Sequence, residues 1–141
     1  TPAPTAPGGG AYGGVPAAIP GMIEAEEFDT GGEGVGYSDF DPGNNGAAFR
    51  LNQGVDVGSV AGDGFYVGWV VGDEYLRYTV DVTVDVDAFN FNFLVASVTD
   101  DSGSFRIVTG GTGCDDYTTD LSGLVTVPST GGWGTYESLT V

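Results

Sequence analysis

The stretches EYLRYTVDV (74–82) and AFNFNFLVASV (88–98) decide the fold class. In the first, Leu76, Tyr78, Val80 and Val82 share one side, and Tyr75, Arg77, Thr79 and Asp81 the other. In the second, Phe89, Phe91, Phe93 and Val95 alternate with Asn90, Asn92, Leu94 and Ala96. Successive side chains of an extended strand point to opposite faces, so alternation with period two sets one face against a core. Working outward, MIEAEEF (22–28), AAFRLN (47–52), VDV (55–57), FYVGWV (65–70), SFRIV (104–108), LVTV (124–127) and WGTYESLTV (133–141) read as further short strands. No stretch carries a helical period. Short strands punctuated by 26 glycines predict an all-β, two-sheet β-sandwich.

Two segments stand apart from the strands. Residues 30–46, TGGEGVGYSDFDPGNNG, predict a long loop, a class of segment that often carries function. Residues 1–20, TPAPTAPGGGAYGGVPAAIP, have no period and little to bury, and read as a Pro/Gly/Ala-rich linker or docking tail ahead of a sandwich over 21–141.

Composition narrows the chemistry. Twenty acidic residues face three arginines, for a formal charge of −17, with no lysine and no histidine. Nucleic-acid affinity depends on Lys and Arg displacing counterions, so no nucleic-acid partner is expected. Anionic membranes are disfavoured likewise, and no apolar run approaches the length of a membrane span. The lack of histidine excludes a Ser-His-Asp triad and histidine-ligated zinc. Cys114 has no second cysteine to pair with inside the chain and reads as a buried thiol or a link to another chain. A neutral glycan or a divalent cation is the better partner. The first residues lack the basic-then-apolar pattern of a secretion signal, and the expectation is an extracellular protein whose signal has been removed.

Four groups of residues then resemble one family in order and spacing. They are IPGMIEAEEFD (19–29), GGEGVGYSDFDPGNNGAAFRLNQGVDV (31–57), VGWVVGDEYLRYTVDV (67–82), and FNFNFLVAS (89–97) with TVPSTGGWGTYESLTV (126–141). Together they resemble carbohydrate-binding module family 6, with Tyr75 where tryptophan is common. The resemblance implies a β-jelly-roll and non-catalytic binding of polysaccharide. Family members continue past the GGW motif through two more strands, the last carrying an Asn that touches sugar and an Asp that binds calcium. This chain has neither.

The resemblance also assigns residues. Tyr37 and Trp133 match the aromatic pair that sandwiches a sugar ring, where a flat ring buries the C–H face of a pyranose and leaves its hydroxyls free. Glu33, Asp39 and Asn44 or Asn45 lie on the same loop and would hydrogen-bond the sugar. Glu24 and Glu26 match the paired acids of a structural Ca²⁺ site. At i and i+2 on a strand they would point to one face, and backbone carbonyls near Arg50 would complete the oxygen shell. Trp69 and Glu74 fall where some members carry a second cleft. Other readings of the same residues are a core cap for the aromatics, solvated strand charge for the glutamates, and surface salt bridges for the three arginines.

Two functions follow as expectations. The first is a non-catalytic module binding a neutral polysaccharide. The second is a structural subunit of an extracellular filament or surface layer, in which residues 1–20 fill the incomplete sheet of a neighbouring copy and form a homo-oligomer. Glycoside hydrolysis needs two placed carboxylates, and no motif singles out a pair.

Overall fold

The computed structural model describes residues 8–62, 64–100 and 103–141. The chain is all-β, as its alternation predicts. Apart from one 3₁₀ turn at Tyr12–Gly14, every regular element among the described residues is a strand. The residues divide into two compact units. The first holds the described residues of Thr1–Asp85 with Thr112–Cys114, and the second those of Val86–Gly111 with Asp115–Val141.

Six strands belong to the first unit: β1 (Ala17–Ile19), β2 (Tyr37–Ser38), β3 (Val57–Ser59), β4 (Phe65–Val67), β5 (Tyr75–Leu76) and β6 (Val80–Val82). They pair from the outside in. β1 runs parallel to β6, while β2–β5 and β3–β4 are antiparallel. The second unit repeats this nesting with β7 (Asn92–Val95), β8 (Ser104–Phe105), β9 (Val108–Thr109), β10 (Thr119–Asp120), β11 (Val125–Thr126) and β12 (Glu137–Thr140). Here β7–β12, β8–β11 and β9–β10 are all antiparallel. A chain that doubles back on itself gives the all-antiparallel nesting of the second unit, whereas the parallel β1–β6 pair of the first departs from it.

The core of the first unit is Phe28, Tyr37, Val55 and Val57, with Phe49, Phe65, Val67, Leu76 and Tyr78 packed against it. Phe28 meets Tyr37 edge-to-face at 5.4 Å, and Phe49 stacks on Phe65 at 4.7 Å. Two buried carboxylates brace this core from within. Asp29 accepts the Thr79 backbone N–H at 2.7 Å and the Thr79 hydroxyl at 2.6 Å. Asp56 accepts the backbone and side-chain amides of Asn45. Asn44 ties the loop down further, accepting from the Ala47 and Val57 N–H groups and donating to the Phe49 carbonyl. At Gly46 the chain passes so close to the Val57 carbonyl that a β-carbon would overlap it.

In the second unit the alternation from 89 to 95 appears as expected, with Phe89, Phe91, Phe93 and Val95 turned inward and Asn90, Asn92 and Leu94 exposed. Phe93 lies 6.2 Å from Phe91 and 4.8 Å from Phe105. Phe91 and Val141 exchange both backbone hydrogen bonds, which extends the β7–β12 ladder.

Several expectations change. The stretch 74–82 is not one strand: Tyr75–Leu76 and Val80–Val82 pair with different partners, and Val82 is exposed. Residues 22–28 form no strand. The Glu27 N–H bonds the Glu24 carbonyl in a turn, Met22 is exposed and Phe28 is buried. Glu and Ala are poor strand formers, and the run EAEE gives a ladder nothing to pack. Residues 47–52 likewise turn instead of extending. Finally, the described part of the tail, 8–20, is built into the first unit and is not a linker. Gly10 and Thr30 exchange hydrogen bonds, β1 pairs with β6, and Tyr12 packs on Phe49 at 6.0 Å. Residues 1–7 of that expectation lie outside the described residues.

Candidate functional site

The long loop and the approach to β5 build one concave feature in the first unit. Because Tyr37 pairs with Leu76 and Ser38 with Tyr75, the chain leaving β2 runs beside the chain entering β5. Between them lies an open groove of about 590 Å³ lined by Ser38, Asp39, Phe40, Val71, Gly72, Asp73 and Glu74.

Two glutamates hold its walls. Glu74 bridges them, one oxygen accepting the Phe40 N–H at 3.0 Å and the other the Val71 N–H at 2.9 Å. Glu33 reaches from the start of the loop to take the Ser38 hydroxyl at 2.7 Å and the Asp39 N–H at 3.0 Å. Charge-assisted hydrogen bonds of this kind fix a loop that has almost no regular structure. Behind Glu74, the Cys114 thiol donates to its backbone carbonyl at 3.3 Å, so this thiol is packed within the unit.

On this frame sit an apolar and a polar group. Phe40 is 80% exposed, an unusual state for so large an apolar ring. Asp39 is half-buried and accepts the Asp41 N–H at 3.0 Å. Burial pushes its carboxyl up to about 6, and the nearby charges of Glu74, Asp56 and Glu33 add to the rise. The adjoining run Trp69–Val71 is also exposed, and Trp69 stacks on Tyr66 at 6.1 Å with a left-handed backbone.

The predicted site residues are distributed unevenly. Glu33 and Asp39 meet at the groove. Asn45 is tied to Asp41 and Asp56 through its side chain. Tyr37 does not offer a platform. Its ring is buried against Phe28 and its hydroxyl accepts the Gly54 N–H at 2.7 Å, so a sugar has no access to its face. Trp133 belongs to the second unit and is 66% exposed. Sequence reasoning missed Phe40 and the bridging role of Glu74. An aromatic set between two aspartates in a Gly-rich loop was the available signal, but a loop has no period to say which side faces water.

The expected calcium ligands do not fit a hard cation. With no strand at 22–28, Glu24 and Glu26 lose their common face. Glu24 is exposed and Glu26 is buried. Burial raises the Glu26 carboxyl above its ordinary range, with Glu24 and Glu27 adding to the effect. Among the described residues no group of three or more acids or thiols is arranged to hold a metal. The Arg50 carbonyl, expected to help complete the shell, accepts the Gln53 N–H at 2.9 Å, while the Arg50 side chain donates to the carbonyls of Glu26 at 3.3 Å, Asp29 at 3.2 Å, and Phe28. Arg50 is thus no surface ion-pair residue, whereas Arg106 does pair with Asp120.

The chain matches no protein-family model and no curated protein. No helix among the described residues is long and apolar enough to cross a membrane.

Proposed function

We propose that the first unit is a non-catalytic glycan-binding module whose site is the Ser38–Phe40/Val71–Glu74 groove. The observation that carries this reading is the exposed Phe40 ring in a concave, carboxylate-lined groove whose walls are clamped by Glu33 and Glu74. Phe40 would take the C–H face of a sugar, and Asp39 and Asp73 would accept from its hydroxyls. Three of the four nearby carboxylates, Glu33, Asp39 and Glu74, already accept backbone N–H groups, so they shape the groove and hold little capacity for chemistry. The net charge of −17 favours neutral glycans over acidic ones.

Affinity electrophoresis against a panel of soluble neutral polysaccharides tests the proposal. Phe40→Ala should weaken binding roughly tenfold or more at unchanged melting temperature. Unchanged retardation of the variant overturns the groove as the site. Release of new reducing ends by the wild-type chain would overturn the non-catalytic reading. The filament reading draws less support, because residues 8–20 make their hydrogen bonds within their own unit.

A further inference from the structure

We infer that the resident cation of the Glu24–Asp29 segment is the guanidinium of Arg50, and that the first unit keeps its shape without calcium. This inference stands independently of the glycan reading.

The geometry is that of a filled cage. One terminal nitrogen of Arg50 donates to the carbonyls of Glu26 and Phe28, and the other donates to that of Asp29. The same guanidinium lies 3.6 Å from the centre of the Phe28 ring and 5.0 Å from that of Tyr12. A planar cation suits this place well, since it can bond carbonyls at its edge while its faces rest on aromatic rings. A spherical Ca²⁺ needs six to eight oxygens close around it and gains little from ring faces.

The remaining acids are turned to other tasks. Both oxygens of Asp29 accept from Thr79, and Glu24 faces solvent. A calcium ion recruiting the three carbonyls would have to displace the guanidinium or sit beside it against like charge. The backbone also bends to place the side chain: Arg50 has φ +52°, a left-handed conformation uncommon outside glycine. Arg50 thereby joins three pieces of chain that are distant in sequence, the 26–29 segment, its own loop and the Tyr12 turn.

The test uses the full chain. Its melting temperature is measured in millimolar calcium, in the same concentration of magnesium, and in excess chelator, for wild type and for Arg50→Met. Magnesium reports general screening of the acidic surface. Wild type should melt within about 1 °C in calcium and in magnesium, because a specific ion would stabilise by mass action and none is bound. Arg50→Met should melt roughly 10 °C lower or fail to fold in all three conditions. If it fails to fold, Arg50→Lys retains charge without the planar fork and should fold, melt below wild type and remain indifferent to calcium. A saturable calcium-specific rise in wild type that disappears in Glu26→Gln overturns the inference. So does an Arg50→Met variant as stable as wild type.

Discussion

The two units pair their strands in the same nested order, yet among the described residues only the first has buried apolar side chains. In the first unit Phe28, Tyr37, Val55 and Val57 are buried, and a shell of half-buried aromatics surrounds them. In the second, the buried residues among those described are Ser97 and Thr130, two polar side chains. Their link is a compact set of bonds. The Thr130 hydroxyl accepts the Ser97 N–H at 2.9 Å and lies 3.1 Å from the carbonyls of Ser97 and Gly132. The phenylalanines of the second unit cluster but remain half-exposed, and Leu94, Leu121, Leu124 and Trp133 are open to water. Strand pairing fixes which residues are neighbours. It does not remove apolar surface from water, and that removal is the main driving force of folding.

The two units should respond most differently to truncation of their best-packed aromatic rings. Phe28 is fully buried, touches Tyr37 and carries the Arg50 guanidinium. Phe28→Ala should cost about 3–5 kcal/mol in denaturant unfolding. Phe93→Ala should cost less than half of that, because its ring is already partly in water. Native-state hydrogen exchange should agree, with the amides of Gly54, Val57 and Thr79 among the slowest and those of β8–β11 among the fastest. Equal costs for the two substitutions would mean that the units are stabilised alike.

A second cut removes a buried carboxylate. Asp29→Ala leaves the Thr79 N–H and hydroxyl without their partner inside the first unit, and should cost about 2–4 kcal/mol. Asp29→Asn keeps one acceptor and should recover about half of the loss. An Asn variant no better than Ala would show that the charge, and not the acceptor, braces the core.

The strands of the second unit were largely legible because their signal is periodic. Alternation at 89–95 appears residue for residue in the burial pattern, LVTV and the C-terminal run contain β11 and β12, and SFRIV, read as one strand, holds β8 and the first residue of β9. The first unit was read less well, for physical reasons. Its chain path through 22–56 is set by side chains bonding the backbone: Asp29 to Thr79, Asn44 to three groups, Asp56 to Asn45, Arg50 to three carbonyls. Such bonds form between residues whose spacing has no period, so nothing in the sequence announces them. The same holds for the site. Glu33 and Asp39 were found as polar loop residues, but Tyr37 was placed on the surface when the fold needed its ring inside. Between linker and docking tail, the packing of 8–20 on its own unit was not legible, because β1 is only Ala17–Ile19, too short for alternation to show.

A third test returns to the polar heart of the second unit. Thr130→Val preserves shape and removes the hydroxyl on which the Ser97 N–H depends. It should cost about 1–3 kcal/mol, the penalty of a buried donor left unmade. Thr130→Ser should retain most of the stability because it keeps the hydroxyl. In a unit whose described residues include no buried apolar side chain, this should exceed the loss from Leu94→Ser, which removes a side chain already 72% exposed and should change stability by under about 0.5 kcal/mol. A Leu94 variant hurt more than the Thr130 variant would show that the exposed apolar face is covered in solution.

The smallest expected effect is a difference of sign. Asp39 in the first unit has its folded carboxyl raised to about 6 from an ordinary 3.8, chiefly by burial. The folded state therefore holds this proton more tightly than the unfolded chain does. Its contribution to stability is fully present below the ordinary aspartate range and is lost as pH rises through about 6. Asp120 in the second unit is shifted the other way, first by the Gly123 N–H and then by Arg106. Its contribution is present above the ordinary range and is lost as pH falls through its lowered value. Asp39→Asn should accordingly raise the melting temperature at about pH 8 and lose that advantage by about pH 4, since asparagine keeps the acceptor for Asp41 and removes the unfavourable charge. Asp120→Asn should lower it at about pH 8 and match wild type only in stronger acid. Melting curves of the three chains between about pH 3 and about pH 8 decide the matter. Two variants moving in the same direction at neutral pH would mean that the acidic groove of the first unit and the Arg106-paired turn of the second do not differ in how they hold a carboxylate.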